Sequence, residues 1–204
     1  MKTRIRIKPQ AGFTLYELMI TVTIVGVILT YGLANLGDYT RNGRMTATAN
    51  DLHAAFHIAR SESARAKTNI TICASSNSMD AAPACAGTWD QGYIVFQDTN
   101  GDIAADAGEA ILRRHDVAED GVILSVANGA TYFGYSASGL GRGSVNGNPP
   151  ISQVVMCDDR GNITGAGGNS AARVFVVTPL GRGTILRDKA QIQLAIDNIG
   201  AACP

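Results

Sequence analysis

The sequence has little of what catalysis and metal binding need. Its 204 residues include three histidines, four cysteines and one tryptophan. No CxxC spacing occurs, which removes the usual cysteine-pair zinc site. His53 and His57 share the i, i+4 spacing of a helical chelate. The glutamate of HExxH is absent and no third ligand is evident, so they read as a polar helix face. "GYSASG" is not GxSxG, and "GLGRG" and "GAGG" lack the Gly-Lys-Ser/Thr of a phosphate loop. His115, beside Arg114 and Asp116, reads as a surface residue at a strand end. These absences argue against an enzyme, and no cofactor is expected. The formal net charge is zero, which argues against a generic nucleic-acid binder.

Charge is missing from a second place. Leu18 to Leu36 carries none, and Thr21, Thr23, Thr30 and Asn35 are its only polar interruptions. About 20 apolar residues suffice to span a bilayer as a helix, so residues 15–36 are expected to do so. Ahead lie Lys2, Arg4, Arg6 and Lys8, with no acid before Glu17. A basic flank stays cytoplasmic, which places the polar bulk from Asp38 onward in the periplasm of a bacterial inner membrane. A secretory signal peptide is cut after its apolar core. Here the small pair Ala11-Gly12 comes before the core. Glu17 then raises a question, because a carboxylate at a helix centre in lipid costs roughly 2.5–3.5 kcal/mol. It either reaches for the headgroups or has a partner.

The stretch "PQAGFTLYELMITVTIVGVIL" resembles the prepilin motif of type IV pilins and type II secretion pseudopilins, through Gly12, Phe13, Thr14, Leu15 and Glu17. The resemblance implies cleavage by a prepilin peptidase between Gly12 and Phe13, and N-methylation of Phe13. Glu17 becomes the fifth residue of the mature chain and pairs with the terminal ammonium of a neighbouring subunit. Residues 1–12 would be the leader. Its removal leaves 13 of 17 basic residues against all 17 acids.

Helical spacing continues beyond the membrane. Met45, Ala49, Leu52, Phe56, Ala59 and Ser63 recur at intervals of three and four. One helix is expected over residues 13–66. From residue 67 to 204 short β-branched runs alternate with Gly, Asn, Asp and Pro. Strands are expected at Asn69–Cys73, Gly92–Gln97, Ala110–Arg114, Val122–Val126, Thr131–Tyr135, Ser152–Cys157, Arg173–Thr178 and Thr184–Arg187. No further helix is expected in this half. The fold class is α+β, a long N-terminal helix packed on an antiparallel β-domain, as in type IV pilins.

An exported domain permits disulfides, and four cysteines allow three pairings. The favoured set is Cys73 with Cys85, closing a short loop, and Cys157 with Cys203, tying down the C-terminal end. "DTNGDIAADAGE" places Asp98, Asn100, Asp102, Asp106 and Glu109 at EF-hand ligand positions. Ile103, however, stands where that loop turns on Gly, and Asn100-Gly101 favours a hairpin tip. No metal site is assigned.

"ICASSNSMDAAPACAGTWDQGYIVFQDTNGDIAADAGEAILRRH" is similar to the GspH/FimT branch of minor pilins and pseudopilins, as are the Arg173–Thr178 strand, Gly181-Arg182 and Cys203-Pro204. This resemblance implies a structural subunit that assembles with other pilins, at or near the tip of a type IV pilus. A rival is a type II secretion pseudopilin H. Another is a minor pilin that binds DNA for uptake in natural transformation, through C-terminal arginines after a Gly-Arg step. Its candidate contacts here are Arg142, Arg160, Arg182, Arg187 and Lys189.

Overall fold

The structure, a computed structural model, describes residues 12–201 and 203, except for the side chains of residues 31–35 and 166. Apart from Gly12, the expected leader lies outside the described residues. The chain forms two compact units, one ending at Thr40 and the other beginning at Arg41.

Helix α1 runs over Leu15–Ala66. It starts where Thr14 supplies a cap: the Thr14 hydroxyl accepts the Glu17 N–H at 3.2 Å. It stops before Lys67, whose φ of 54° is left-handed. In the first unit its apolar side chains from Leu15 to Leu29 are exposed. The hydroxyls among them are satisfied within the helix. Thr21 donates to Leu18 O at 2.9 Å, Thr23 to Met19 O at 2.7 Å and Thr30 to Gly26 O at 2.6 Å. Among the described residues no helix is long and apolar enough to cross a membrane. The expected span, 15–36, runs through residues 31–35, whose side chains lie outside the description.

In the second unit the expected stripe is the buried face of α1. Met45, Ala49, Leu52, Phe56, Ala59 and Ser63 are all buried. Burying one side chain the size of Phe56 contributes about 1.5–3 kcal/mol. The eight strands appear within a residue of their expected bounds. They are β1 (Ile70–Ala74), β2 (Tyr93–Gln97), β3 (Ile111–His115), β4 (Ile123–Val126), β5 (Tyr132–Tyr135), β6 (Gln153–Cys157), β7 (Arg173–Val177) and β8 (Gly183–Leu186). They form two four-stranded sheets, ordered β3-β2-β1-β5 and β4-β6-β7-β8, and every strand pairing is antiparallel. Both sheets give one face to the core under α1. Ile70, Ile72, Val95, Phe133 and Tyr135 come from the first, and Leu124, Val154, Met156 and Phe175 from the second.

Alternation along the strands fills the opposite faces. Cys73, Ile94, Phe96 and Tyr132 form a separate cluster beyond the first sheet. Val155, Cys157 and Val174 pack beyond the second with Ile192 and Ala195 of a second helix, α2 (Lys189–Ile199). This helix corrects the expectation that the C-terminal half holds none. Its start is capped by the Asp188 carboxylate, which accepts from Gln191 N–H at 3.0 Å, and it ends at Gly200 in the left-handed conformation. Only Ile192 and Ala195 are buried, so its apolar stripe is narrow.

Candidate functional site

Phe13 and Glu17 are both exposed. Glu17 stands three residues after the Thr14 cap, in the first turn, where the helix's positive end favours a carboxylate. The capping order Thr-x-x-Glu therefore gives Glu17 a local role beside any partner it meets.

The four cysteines are joined as Cys73–Cys85 and Cys157–Cys203, with Cα–Cα distances of 5.4 and 5.7 Å. The first bridge holds the loop after β1. The second ties the segment following α2 to the end of β6.

The arginines divide by what they touch. Arg142 donates to Asp98 Oδ2 at 2.9 Å and to Gly101 O at 2.6 Å. Asp98 is fully buried and also accepts from the Thr71 hydroxyl at 2.7 Å. Arg160 lies 2.5 Å from Asp158, and both side chains are nearly buried. Arg113 pairs with Asp51 at 3.4 Å, Arg65 with Glu62 at 2.6 Å and Arg41 with Asp159 at 3.3 Å. Arg173 is buried and donates to the carbonyls of Ser170, Ala171 and Ala172. Burial holds its pKa below the usual guanidinium value, and the nearby Arg187 and Arg160 add to the effect.

The five basic residues considered for DNA are thus not equivalent. Arg142 and Arg160 are spent on internal carboxylates. Arg182, Arg187 and Lys189 are exposed. The EF-hand-like residues are likewise engaged with one another. Asn100 donates to Asp102 and Asp106, and Glu109 accepts from Thr99 N–H at 2.7 Å. His115 ends β3 as expected but is half-buried rather than at the surface. Its ring stacks on Tyr93 at 4.6 Å and lies 3.4 Å from Asp51, because the end of β3 packs against α1.

A cleft of about 540 Å³ opens between α1 and the β7–β8 turn. Asn50, His53, His57 and Arg60 come from the helix, and Gly181 to Ile185 from the turn and β8. Phe56, Tyr135 and Ile185 supply its apolar surface. Two glycines make this approach possible. Gly181 has φ +79°, and a Cβ there would enter the Tyr135 ring. A Cβ on Gly183 would stand 2.5 Å from Phe175 Cζ. The Tyr135 hydroxyl donates to Gly181 O at 2.7 Å, and burial pushes its pKa up beyond the ordinary tyrosine range. Arg182 is held through its backbone, which donates to Thr178 Oγ1 at 3.1 Å. The two imidazoles meet edge to face at 4.5 Å. Sequence reading set His53 and His57 aside because the HExxH glutamate is absent and no third ligand is evident; the fold places both against residues 181–185, far along the chain.

Comparison with known proteins supplies the family. The sequence profile of the type II transport protein GspH matches residues 48–181, and that of the prokaryotic N-terminal methylation motif matches residues 7–32. Two crystal structures of the type IV minor pilin FimU of Pseudomonas aeruginosa strain PAO1 are similar to this chain. One is 18% identical, with a TM-score of 0.49, covering 74% of this chain and 94% of that one. The other is 17% identical, with a TM-score of 0.43, covering 69% and 91%. No curated protein matches. The long helix, the two antiparallel sheets and the matched motif define a pilin-like filament subunit, minor pilin or pseudopilin. The chain belongs to the GspH family of type II transport proteins.

Proposed function

We propose that this protein is a minor pilin that enters a type IV pilus at or near its tip. It is inserted in the bacterial inner membrane, cut by a prepilin peptidase between Gly12 and Phe13, and methylated on Phe13. The observation that carries the reading is the first unit of α1. An exposed apolar helix starts at Leu15, two residues after Phe13, and the hydroxyls of Thr21, Thr23 and Thr30 bond to its own carbonyls. Such a helix leaves little unsatisfied in lipid or among like helices. Glu17 then meets the Phe13 ammonium of the next subunit, the second domain faces the periplasm, and the protein acts by assembly without catalysing a reaction.

The test has two parts. Mass analysis of the membrane-extracted chain should find methylated Phe13 at its start; an intact Met1 overturns the processing step. Glu17→Ala should insert normally and be lost from sheared filaments; recovery at wild-type level removes the pairing.

The family's description favours a second reading, a pseudopilin of type II secretion. Deletion separates the two, because the pilus reading predicts loss of piliation and the pseudopilus reading loss of secretion. The DNA-uptake reading rests on Arg182, Arg187 and Lys189 alone, since Arg142 and Arg160 have internal partners.

A further inference from the structure

We infer that the cleft between α1 and the β7–β8 turn is a docking site for an acidic, apolar-centred peptide segment of a neighbouring subunit. The inference rests on the filament role and specifies a contact between globular domains, separate from the helix contacts.

Most arginines of the second unit already have partners. Arg65, Arg113, Arg142 and Arg160 are matched by carboxylates, and Arg173 by carbonyls. Among the described residues the side chains of Arg60, Lys67, Arg182, Arg187 and Lys189 have no hydrogen-bond or ion-pair partner, and of these Arg60 and Arg182 share this concave site. His53 and His57 stand beside them, each in ring contact but without a carboxylate. No acid is among the described residues that line the cleft. Cations gathered in a concave site with no internal counter-charge complement an external anion.

The lining then selects the kind of anion. Phe56, Tyr135 and Ile185 call for an apolar body between the charges, while Asn50 and Thr184 offer polar contacts. A carboxylate-bearing peptide has that character. A nucleic-acid backbone presents a line of phosphates and needs a row of cations along a surface. Here two of the five candidate cations are turned inward to Asp98 and Asp158.

The same chain shows what such a segment looks like. The turn after β3, Asp116 to Asp120, reads Asp-Val-Ala-Glu-Asp, with Val117 62% exposed between acids. It serves as the probe.

The experiment uses the full chain in neutral detergent micelles and a fluorescently labelled, end-blocked Asp-Val-Ala-Glu-Asp peptide, followed by anisotropy. Saturable binding is expected, weakening as salt rises from 50 to 300 mM, because exposed charges are screened over about a Debye length. Arg182→Ala is exposed and keeps its backbone bonds; it should weaken binding by about tenfold, as for a close charge pair. Arg60→Ala should act in the same direction. Arg187→Ala, an exposed arginine outside the cleft, should change nothing. The Asn-Val-Ala-Gln-Asn peptide should not bind. The inference is overturned if the acidic peptide does not bind, if Arg182→Ala leaves binding unchanged, or if Arg187→Ala weakens it equally. It is also overturned if a short oligonucleotide occupies the cleft in preference to the peptide. A chain that enters filaments normally but binds no peptide leaves the filament role standing. A chain absent from filaments in every form removes that role first.

Discussion

Replacing Arg142 by Ala tests whether this cation is structural. Asp98 is 0% exposed, and its Oδ2 accepts from Arg142 Nη1 at 2.9 Å and from the Thr71 hydroxyl at 2.7 Å. Its Oδ1 is buried with no hydrogen-bond partner among the described residues, so little else compensates the charge. Removing one partner of a buried pair typically costs about 3–5 kcal/mol. Arg142 also holds Gly101 O at 2.6 Å, so the turn after β2 loses its anchor as well. The fragment beginning at Arg41 has its own core and both disulfides, and suits urea unfolding. Its only tryptophan, Trp89, is buried and reports the transition. With a slope of about 2 kcal/mol/M, the midpoint should fall by roughly 1.5–2.5 M. Asp98→Asn with Arg142→Met removes both charges and should cost less than Arg142→Ala alone. A midpoint shift below about 0.3 M for Arg142→Ala, given the same slope, would refute the buried-pair argument and return Arg142 to the surface candidates.

Three further outcomes are expected. Gly183→Ala should destabilise the second unit by about 1–3 kcal/mol through overpacking against Phe175, read as a lower thermal midpoint. Cys157→Ser with Cys203→Ser should cost about 2–4 kcal/mol and expose α2 to proteolysis first. Burial raises the pKa of Tyr93 and Tyr135 in the folded state, so their stabilisation is complete below the ordinary tyrosine pKa of about 10 and is lost as pH climbs above it. Ultraviolet titration should therefore show these two phenols ionising only as the domain unfolds.

The strands were legible because β-branched runs such as Ile70-Thr71-Ile72 and Val174-Phe175-Val176 stand between turn residues. The buried face of α1 was legible because Leu52, Phe56 and Ala59 keep a helical period over several turns. Helix α2 was missed although Asp188 and Gly200 mark its ends. Ile192, Ala195, Ile196 and Ile199 do keep helical spacing, but only two of them are buried, and a narrow stripe is easily passed over. The fates of Arg142 and Arg160 were legible to different degrees. Arg160 meets a carboxylate two residues away, whereas Arg142 meets one 44 residues away across the first sheet. Charge counting along the chain treats both as surface cations. Only the paired register of β1 with β2 and β5 brings Asp98 and Arg142 together. The cleft was the least legible feature, since it needs a turn of two glycines to lie flat on Tyr135 and Phe175.

The bridge from Cys157 to Cys203 also determines where a mechanical load enters the domain. A pull applied at Cys203 is delivered to the end of β6, which lies between β4 and β7 inside its sheet. The intervening β7, β8 and α2 are bypassed. The 46-residue separation represents about 150–165 Å of extended chain that tension cannot draw out while the bridge is intact. In a single-molecule stretching experiment that slack should appear only after reduction, as an added step of that length.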